Sequence, residues 1–372
     1  MGFSMDDRLT AVELFAGAGG LLLGTSLAGF HHLAAAEWEH NCCNTLRLNQ
    51  EKGYPLIDAD MKVIEGDVRD IDWSFLPCSV DLLAGGPPCQ PFSLGGLSKA
   101  NSDSRDMFPA FTSVLAQLKP RAFICENVKG LTRSSFHAYY EYILLRLQHP
   151  SLVRRDGESW EEHSIRLSRT HTSADTEGVR YEVISTVVDA ADYGIPQHRH
   201  RVFIVGFRSD VEASWAFPRP SHAQVEGSGC MAWRTLGEAI RNVPQLNNEA
   251  KGGQAKAYPG HTGSDLSKPC KALKAGVHGV PGGENMIRFD DGSLRYLTVR
   301  EAARVQTFPD GYEFSGAWSE GMRQIGNAVP VELARIVASS VACALREDAA
   351  RKQYDALLKS PCGDERYEAV CI

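Results

Sequence analysis

The amino-acid sequence predicts an α/β fold in which helices cover both faces of a doubly wound, mostly parallel sheet. Over the first two hundred residues, short apolar runs alternate with amphipathic stretches, as in successive βα units. The apolar runs end near glycine, proline or a carboxylate, and ligands of such sheets gather at the carboxyl ends of the strands. After Arg208 long apolar runs become sparse, which indicates a second, smaller, loop-rich domain.

Seven apolar runs are predicted as buried strands of this sheet. In chain order they are TAVELFA, HLAAAE, KVIEGD, VDLLAGG, AFICENV, YEVISTVVDA and RVFIVGF. Helices are predicted between them at LLLGTSLAGF, CCNTLRLNQ, MFPAFTSVLAQL and FHAYYEYILLRL, and later at LTVREAARVQTF and PVELARIVASSVACAL. Residues 150–180 are polar and weakly periodic, and we predict a surface excursion there. Residues 346–372 are predicted as a C-terminal tail that is polar and expected to fray beyond Glu347.

The composition is that of an ordinary globular protein, with 43% hydrophobic and 23% charged residues. No apolar run approaches the roughly 20 residues of a membrane span, so we expect a protein outside the membrane. The N-terminal segment MGFSMDDRLT lacks the pattern of a secretory signal, which predicts a cytoplasmic location. The ten cysteines form no CxxC pair and are interpreted as reduced thiols, with no metal site expected.

The net charge of −7 is distributed unevenly along the chain. From Ile195 to Val305 there are 15 Lys and Arg against 10 Asp and Glu. A basic region in an otherwise acidic chain fits a face that binds a polyanion. An uneven but solvated surface explains the same charges equally well.

The segment VELFAGAGGLLLG combines a strand, a glycine-rich turn and the start of a helix. Gly17, Gly19 and Gly20 allow positive φ and let backbone amides approach a ligand closely. The order FxGxGG differs from the GxGxxG of dinucleotide sites, which disfavours an NAD site. A tight βα turn without a ligand is the alternative.

Acidic residues follow at the ends of the next two strands. Glu37 can accept hydrogen bonds from both ribose hydroxyls, and Trp38 beside it can cover an adenine face. Asp67 can accept from an adenine amino group, which leaves the Val68 amide for a ring nitrogen. Helix caps and a core tryptophan explain each residue singly, but their order at successive strand ends favours an adenosine cofactor.

The segment GGPPCQPFS, residues 85–93, holds Cys89 on a loop that three prolines stiffen. A thiolate is the reactive form of cysteine, and a rigid loop would present it for covalent catalysis at little ordering cost. A buried, unreactive cysteine is the alternative.

Two further motifs supply charged groups at the same end of the sheet. Glu126 ends the fifth strand, where partial desolvation could raise its pKa and suit it to donate a proton. Arg199 and Arg201 share one face of the strand IPQHRHRVFIVGF because side chains alternate, and could hold an anion or a carbonyl oxygen. A capping carboxylate and a pair of surface arginines are the alternatives.

FAGAGG, GGPPCQPFS, ENV, QHRHR, RYLTVREAARVQTFP and QIGNAVP occur in the order found in the cytosine-5 DNA methyltransferases. From Val12 to about Leu345 the sequence closely resembles the prokaryotic type of this family. Glu13 stands where the family commonly has aspartate. The resemblance implies a Rossmann-like, S-adenosylmethionine-dependent methyltransferase fold. The implied domains are a catalytic domain (1–207 with 318–345) and a DNA-recognition domain (208–317).

The resemblance also implies a role for each site residue. Cys89 is expected to add to cytosine C6, Glu126 to bond N3 and the exocyclic amine, and Arg201 with Arg199 to hold O2. Gln90 and Ser93 are expected to contact DNA. The S-adenosyl-L-methionine pocket is expected to comprise Phe15, Ala16, Gly17, Gly19, Gly20, Glu37, Trp38, Asp67, Val68, Pro87 and Asn327.

The implied substrate is a cytosine flipped out of double-stranded DNA. A monomer is expected, and a restriction endonuclease that cuts the same site is a possible companion. The alternative within the same chemistry is a tRNA cytosine methyltransferase, whose CFT-type motif is absent between Arg208 and Leu294. A catalytically inactive binding protein and an NAD-dependent oxidoreductase are the alternatives from other classes.

Overall fold

The computed structural model describes residues 8–77, 79–88, 106–172, 178–225, 229–243, 255, 262–275 and 285–359. Within them, all seven predicted strands form one sheet. Their bounds are β1 (Leu9–Leu14), β2 (Phe30–Glu37), β3 (Lys62–Glu65), β4 (Leu82–Gly85), β5 (Ala122–Val128), β6 (Tyr181–Asp189) and β7 (His200–Arg208). The strand prediction is confirmed.

The strand order of this sheet is β3-β2-β1-β4-β5-β7-β6. The first five strands run parallel, and β7 is antiparallel to both of its neighbours. The chain therefore reverses its lateral direction between β1 and β4, and such a switch point is where ligands of open α/β sheets bind. The predicted mostly parallel, doubly wound sheet is confirmed.

The helices of the described residues also follow the prediction closely. They are α1 (Gly20–Leu27), α2 (His40–Glu51), α3 (Phe108–Leu118), α4 (His137–Gln148), α5 (Trp160–Thr172), α6 (Leu236–Ala239), α7 (Val299–Val305), α8 (Trp318–Asn327) and α9 (Val331–Lys359). Helices α1 and α9 pack on one face of the sheet, and α3, α4 and α5 pack on the other. Both faces are thus buried, which explains why the strand sequences are almost continuously apolar.

Between β7 and α7 the regular elements are short. They are β8 (His222–Ala223), β9 (Met231–Ala232), β10 (Ser264–Asp265), β11 (Met286–Arg288) and β12 (Leu294–Tyr296). A third apolar cluster joins side chains of this region to α1, α2, α7 and α8. This loop-rich character agrees with the predicted second module, whose bounds and DNA-recognition role stay predictions.

The structure adds a helix to one predicted segment and contradicts the expectation for another. The excursion at 150–180 contains helix α5, because His163 and Leu167 bury a face against α4. The tail does not fray directly beyond Glu347: α9 continues to Lys359, where the structure describes it. Asp348 explains the extension, since its buried carboxylate pairs with Lys352 at 2.9 Å and with Arg121 at 3.2 Å.

The stretch Trp318–Leu358 is long and apolar enough to cross a membrane by composition alone. However, 67% of its most apolar window is buried inside the protein. Packing of α9 against α1 and the sheet therefore accounts for its apolar character. The closest approach lies at Gly24, where an added Cβ would lie 2.3 Å from the Ala334 Cβ.

Candidate active site

The candidate site lies at the carboxyl edge of the central strands. Register places Leu14 beside Gly85 and Gly85 beside Cys125, so β1 and β4 end one residue before the level of Glu126 on β5. The antiparallel strand β7 begins at this edge, where Arg201 pairs with Val128. The topology therefore brings the glycine turn, the start of the cysteine loop, Glu126 and Arg201 to one rim.

Glu126 and Arg201 form an ion pair at this rim. The Nε of Arg201 lies 2.7 Å from Oε1 of Glu126, and both side chains are largely buried. A Cβ added at Gly86 would lie 3.1 Å from Oε2 of Glu126, so a glycine lets that carboxyl lie close against the end of β4. The second carboxyl oxygen is thus held beside the residues that lead into the cysteine loop.

Burial raises the pKa of the Glu126 carboxyl, and the guanidinium groups of Arg201 and Arg199 oppose this rise. Loss of hydration disfavours the charged form of a carboxyl group. Glu126 is therefore more easily protonated than an exposed glutamate, as the sequence-based prediction of a proton donor requires.

The base of the cysteine loop is fixed by two hydrogen bonds. The buried amide of Asn127 donates from Nδ2 to the Pro87 carbonyl at 2.9 Å. The amide of Met107, beyond the loop, donates to the Pro88 carbonyl at 3.4 Å. Cys89 itself, and with it Gln90 and Ser93, lies outside the described residues, so the structure fixes where the loop begins.

The glycine turn has the positive φ angles that let backbone amides face a ligand. Phe15, Gly17 and Gly19 have φ of 54°, 53° and 85°, a region that side chains other than glycine seldom adopt. Among the residues that the structure describes, none would lie within 4 Å of a Cβ at Gly17, so the turn is open toward them. Ala16 is buried, and the Ala18 carbonyl accepts from the hydroxyl of Tyr312 at 2.7 Å.

Glu37 ties the end of β2 to the glycine turn. Its Oε2 accepts from the Gly17 amide at 2.7 Å, and its Oε1 accepts from the Trp38 and Glu39 amides at 3.0 and 2.9 Å. Burial raises the pKa of this carboxyl, and the three amides oppose the rise. Each carboxylate oxygen has two lone-pair sites, so Oε2 retains one for a ribose hydroxyl.

Trp38 is not a core residue, because 70% of its surface is exposed. The core alternative is thereby removed, and an aromatic face stands free beside Glu37. At the end of β3 the carboxylate of Asp67 accepts from the Arg69 amide at 2.9 Å and pairs with its guanidinium, as a cap does. The Val68 side chain is buried, and the predicted adenine contacts of both residues stay predictions.

The C-terminal segment returns to this rim, as predicted. Asn327 is the last residue of α8 and is exposed. A Cβ at Gly20 would lie 2.4 Å from the Val329 carbonyl oxygen, so Gly20 permits the close packing of this segment on α1. The open turn, the amides held by Glu37, the exposed Trp38 and the exposed Asn327 together fit an adenosine-bearing ligand.

Arg199 is bound to the main chain of other segments, and its catalytic role stays a prediction. Its buried guanidinium donates to the carbonyls of Leu273, Gly326 and Ala328 at 2.9, 2.7 and 3.0 Å. Arg199 directly precedes β7, and the chain around Leu273 and Gly326 covers its guanidinium. Arg201 alone of this pair bonds Glu126.

A buried, hydrogen-bonded pair of glutamines was not predicted from the sequence. Gln197 donates to Oε1 of Gln306 at 3.0 Å and accepts from the Leu273 amide at 2.9 Å. Gln306 donates to the carbonyls of Ile325 and Ala328 at 2.8 and 3.1 Å. These bonds join the QHRHR, RVQTF and QIGNAVP motifs, and only their order in the chain could have suggested such a network.

Replacement of Arg199 by alanine is expected to lower the free energy of unfolding by about 3 kcal/mol, because the buried carbonyls of Leu273 and Gly326 lose this donor, while the Ala328 carbonyl keeps Gln306. Urea denaturation measures the loss. The control is Arg335→Ala, which removes a partly exposed ion pair with Glu332 that is worth less than about 1 kcal/mol. Equal stability of the two variants would contradict the anchoring role.

Three possible metal ligands cluster away from this rim. Ligand atoms of His31, Asp58 and Asp60 lie within 4.8 Å of one another. Within the cluster the Nδ1 of His31 bonds Oδ1 of Asp58 at 2.8 Å. These side chains come from the start of β2 and the segment before β3, and the candidate site does not depend on them.

Comparison with known proteins gives one family. A family model for C-5 cytosine-specific DNA methylases matches residues 9–149, 167–254 and 233–343. Type II methyltransferase M.NgoMIV of Neisseria gonorrhoeae is 31% identical over 357 residues, which cover 92% of this chain and 99% of that protein. Type II methyltransferase M.AplI of Arthrospira platensis is 30% identical and covers 93% of this chain and 89% of its own.

Solved structures share the fold. The S. pombe Dnmt2 methyltransferase matches with a TM-score of 0.59 and 17% identity, over 91% of this chain and 99% of its own. The Entamoeba histolytica methyltransferase EhMeth matches with a TM-score of 0.61 and 14% identity, over 92% and 99%. The seven-stranded sheet therefore has the architecture of these methyltransferases.

Proposed function

Because this chain belongs to the family of C-5 cytosine-specific DNA methylases, we propose that its sheet rim methylates a flipped cytosine through Cys89, Glu126 and Arg201. The chain is a DNA (cytosine-5-)-methyltransferase that depends on S-adenosyl-L-methionine. The buried Glu126–Arg201 ion pair at the start of the cysteine loop carries the assignment of residues.

The pocket of the methyl donor would be formed by the glycine turn and the strand ends beside it. Glu37 and Trp38 would hold ribose and adenine, Asp67 and Val68 the adenine edge, and Asn327 would close the pocket. The remaining members would be Phe15, Ala16, Gly17, Gly19, Gly20 and Pro87. When bound, S-adenosylmethionine supplies an electrophilic methyl group.

The protein's residues have to make cytosine C5 nucleophilic. The Cys89 thiolate adds to C6 while Glu126 donates a proton toward N3, so C5 acquires enamine character and can accept the methyl group. Arg201 keeps Glu126 in place and holds O2 of the base. Loss of the C5 proton then allows the C6–S bond to break, which returns Cys89 as a thiolate, and the N3 proton returns to Glu126.

A stacked base cannot meet these groups, so the target cytosine must leave the duplex. The region from Arg208 to Leu294 would read base edges in the major groove and contact phosphates, and Gln90 and Ser93 would contact DNA from the cysteine loop. Arg199 would act as a positioning residue that fixes the segment carrying Asn327.

We infer further that the enzyme acts as a monomer in the cytoplasm and associates with the nucleoid by binding DNA. The relatives named Type II methyltransferases support a partner restriction endonuclease with the same recognition site. Size-exclusion chromatography with light scattering tests the monomer, and a dimer at micromolar concentration would contradict it.

Bisulfite sequencing of genomic DNA from cells that express the enzyme tests the proposed function. We expect protected cytosines within one sequence context, which would also give the recognition site. Cells that express Cys89→Ser provide the control and should show no protection. Protection that is absent from both samples would contradict the assignment.

Replacement of Trp38 by alanine is expected to weaken S-adenosylmethionine binding roughly tenfold or more, since aromatic stacking on a base contributes about 1–3 kcal/mol. DNA affinity should change little. Isothermal titration calorimetry gives both constants, and Tyr354→Ala, which removes an aromatic side chain that is 62% exposed, is the control. Unchanged cofactor affinity in Trp38→Ala would count against this pocket.

A further inference from the structure

A cavity of about 430 Å³ lies outside the proposed cytosine and cofactor sites. Its walls come from the start of α3, one side of α4 and residues 154–160 of the excursion. Three arginines line it, Arg146, Arg154 and Arg155, together with aromatic side chains that include Trp160. A concave site with several guanidinium groups suits an anion.

The cavity adjoins the base of the cysteine loop. Asp106 lines it and directly precedes Met107, whose amide bonds the Pro88 carbonyl. Helix α5 begins beside the start of α4, where the rings of Trp160 and Tyr139 lie 5.4 Å apart. The excursion follows α4 in the chain and therefore brings Arg154 and Arg155 back toward the sheet rim.

The carboxylate of Glu158 does not neutralise the guanidinium groups of Arg154 and Arg155. Both carboxylate oxygens of Glu158 bond Arg166 at 2.8 Å. Among the described residues, the guanidinium of Arg154 bonds the Glu158 main-chain carbonyl, at 3.0 and 2.6 Å. Two acids also line the cavity: Asp106, which accepts from the Tyr139 hydroxyl, and the exposed Asp156. Positive groups remain in excess.

Two buried donors in the wall lack acceptors. The Nε of Arg146 and the Nε1 of Trp160 have no hydrogen-bond partner among the described residues. Buried N–H groups without partners are costly and uncommon. Both nitrogens are shut off from solvent, so a ligand in the cavity meets the exposed guanidinium groups of Arg154 and Arg155 instead.

We propose that this cavity binds a backbone phosphate of the DNA substrate. The phosphate oxygens accept hydrogen bonds from the exposed guanidinium groups of Arg154 and Arg155, and the positive charge of Arg146 in the wall adds to the attraction. This inference rests on the proposed function, because it takes duplex DNA as the ligand. A phosphate held there would anchor the DNA beside the base of the loop that carries Cys89.

The test compares Arg154→Gln/Arg155→Gln with Arg8→Gln/Arg169→Gln, a control that removes two exposed arginines elsewhere. Fluorescence anisotropy gives the Kd of the full-length enzyme for a 30-base-pair duplex between about 50 and 200 mM salt. Loss of one phosphate contact should reduce the slope of log K against log salt by about 0.9. The control should keep the wild-type slope, and both variants should keep wild-type S-adenosylmethionine affinity.

Identical slopes and Kd values in the two double variants would overturn the inference. Calorimetric titration with dCMP separates the sources of phosphate: loss of dCMP binding with an unchanged DNA slope would assign the cavity to a free nucleotide and also overturn it. Methyl transfer by the wild type is measured on the same duplex. If the wild type does not methylate DNA, the proposed function is contradicted. If the wild type is active and the slopes are unchanged, this inference alone is contradicted.

Discussion

Serine in place of Cys89 is expected to reduce methyl transfer to duplex DNA on the order of 10⁴-fold or more, the range reached when a covalent nucleophile is removed. A serine hydroxyl is barely ionised near neutral pH, so addition to cytosine C6 fails. The measurement is single-turnover transfer of a labelled methyl group with enzyme in excess over DNA.

The binding functions of this variant should survive. S-adenosylmethionine affinity is expected to stay within a few-fold of the wild type, because the proposed pocket lies on the glycine turn and at the ends of β2 and β3. Cys343→Ser is the matched control, since Cys343 is an exposed cysteine on α9 and should retain full activity. Near wild-type transfer by Cys89→Ser would refute the proposed nucleophile.

Glutamine in place of Glu126 is expected to lower the rate of methyl transfer by about 10²–10⁴-fold, the usual contribution of a positioned acid or base. An amide can fill the space beside Arg201 and Gly86 but cannot transfer a proton toward N3. Single-turnover rates of methyl transfer measure the effect. The control is Glu182→Gln, at an exposed position on β6.

The pH dependence gives a second readout for Glu126. Burial raises the pKa of its carboxyl above the ordinary value, so the protonated form persists to higher pH than in an exposed glutamate. The single-turnover rate should therefore fall as pH rises through this raised pKa. In Glu126→Gln this limb of the profile should vanish, and its persistence would assign the titration to another group.

The fold could be predicted from the sequence because the sheet is buried on both faces. Each strand is then an almost continuous apolar run, and turn residues mark its end. Helix α5 was missed because its sequence is mostly polar and only a narrow face, with His163 and Leu167, is buried. The extension of α9 depends on Asp348, whose partners Arg121 and Glu212 are distant in the chain.

The candidate site was predictable where its residues stand at strand ends. Parallel strands end at one edge, so Glu37 and Glu126 could be placed on a common rim without coordinates. Sequence spacing could not separate Arg201 from Arg199, because the difference between them depends on which segment covers each side chain. The hydrogen bonds of Asn127, Gln197 and Gln306 likewise join residues far apart in the chain, so no local sequence pattern predicts them.

This rim is proposed to transfer a methyl group to carbon 5 of cytosine in duplex DNA. The most direct measurement incubates the enzyme with labelled S-adenosylmethionine and either duplex DNA or tRNA, followed by digestion to nucleosides and chromatography. We expect label in 5-methyldeoxycytidine from DNA, and none from DNA treated with Cys89→Ser. Label in tRNA alone, or on a nitrogen of a DNA base, would contradict it.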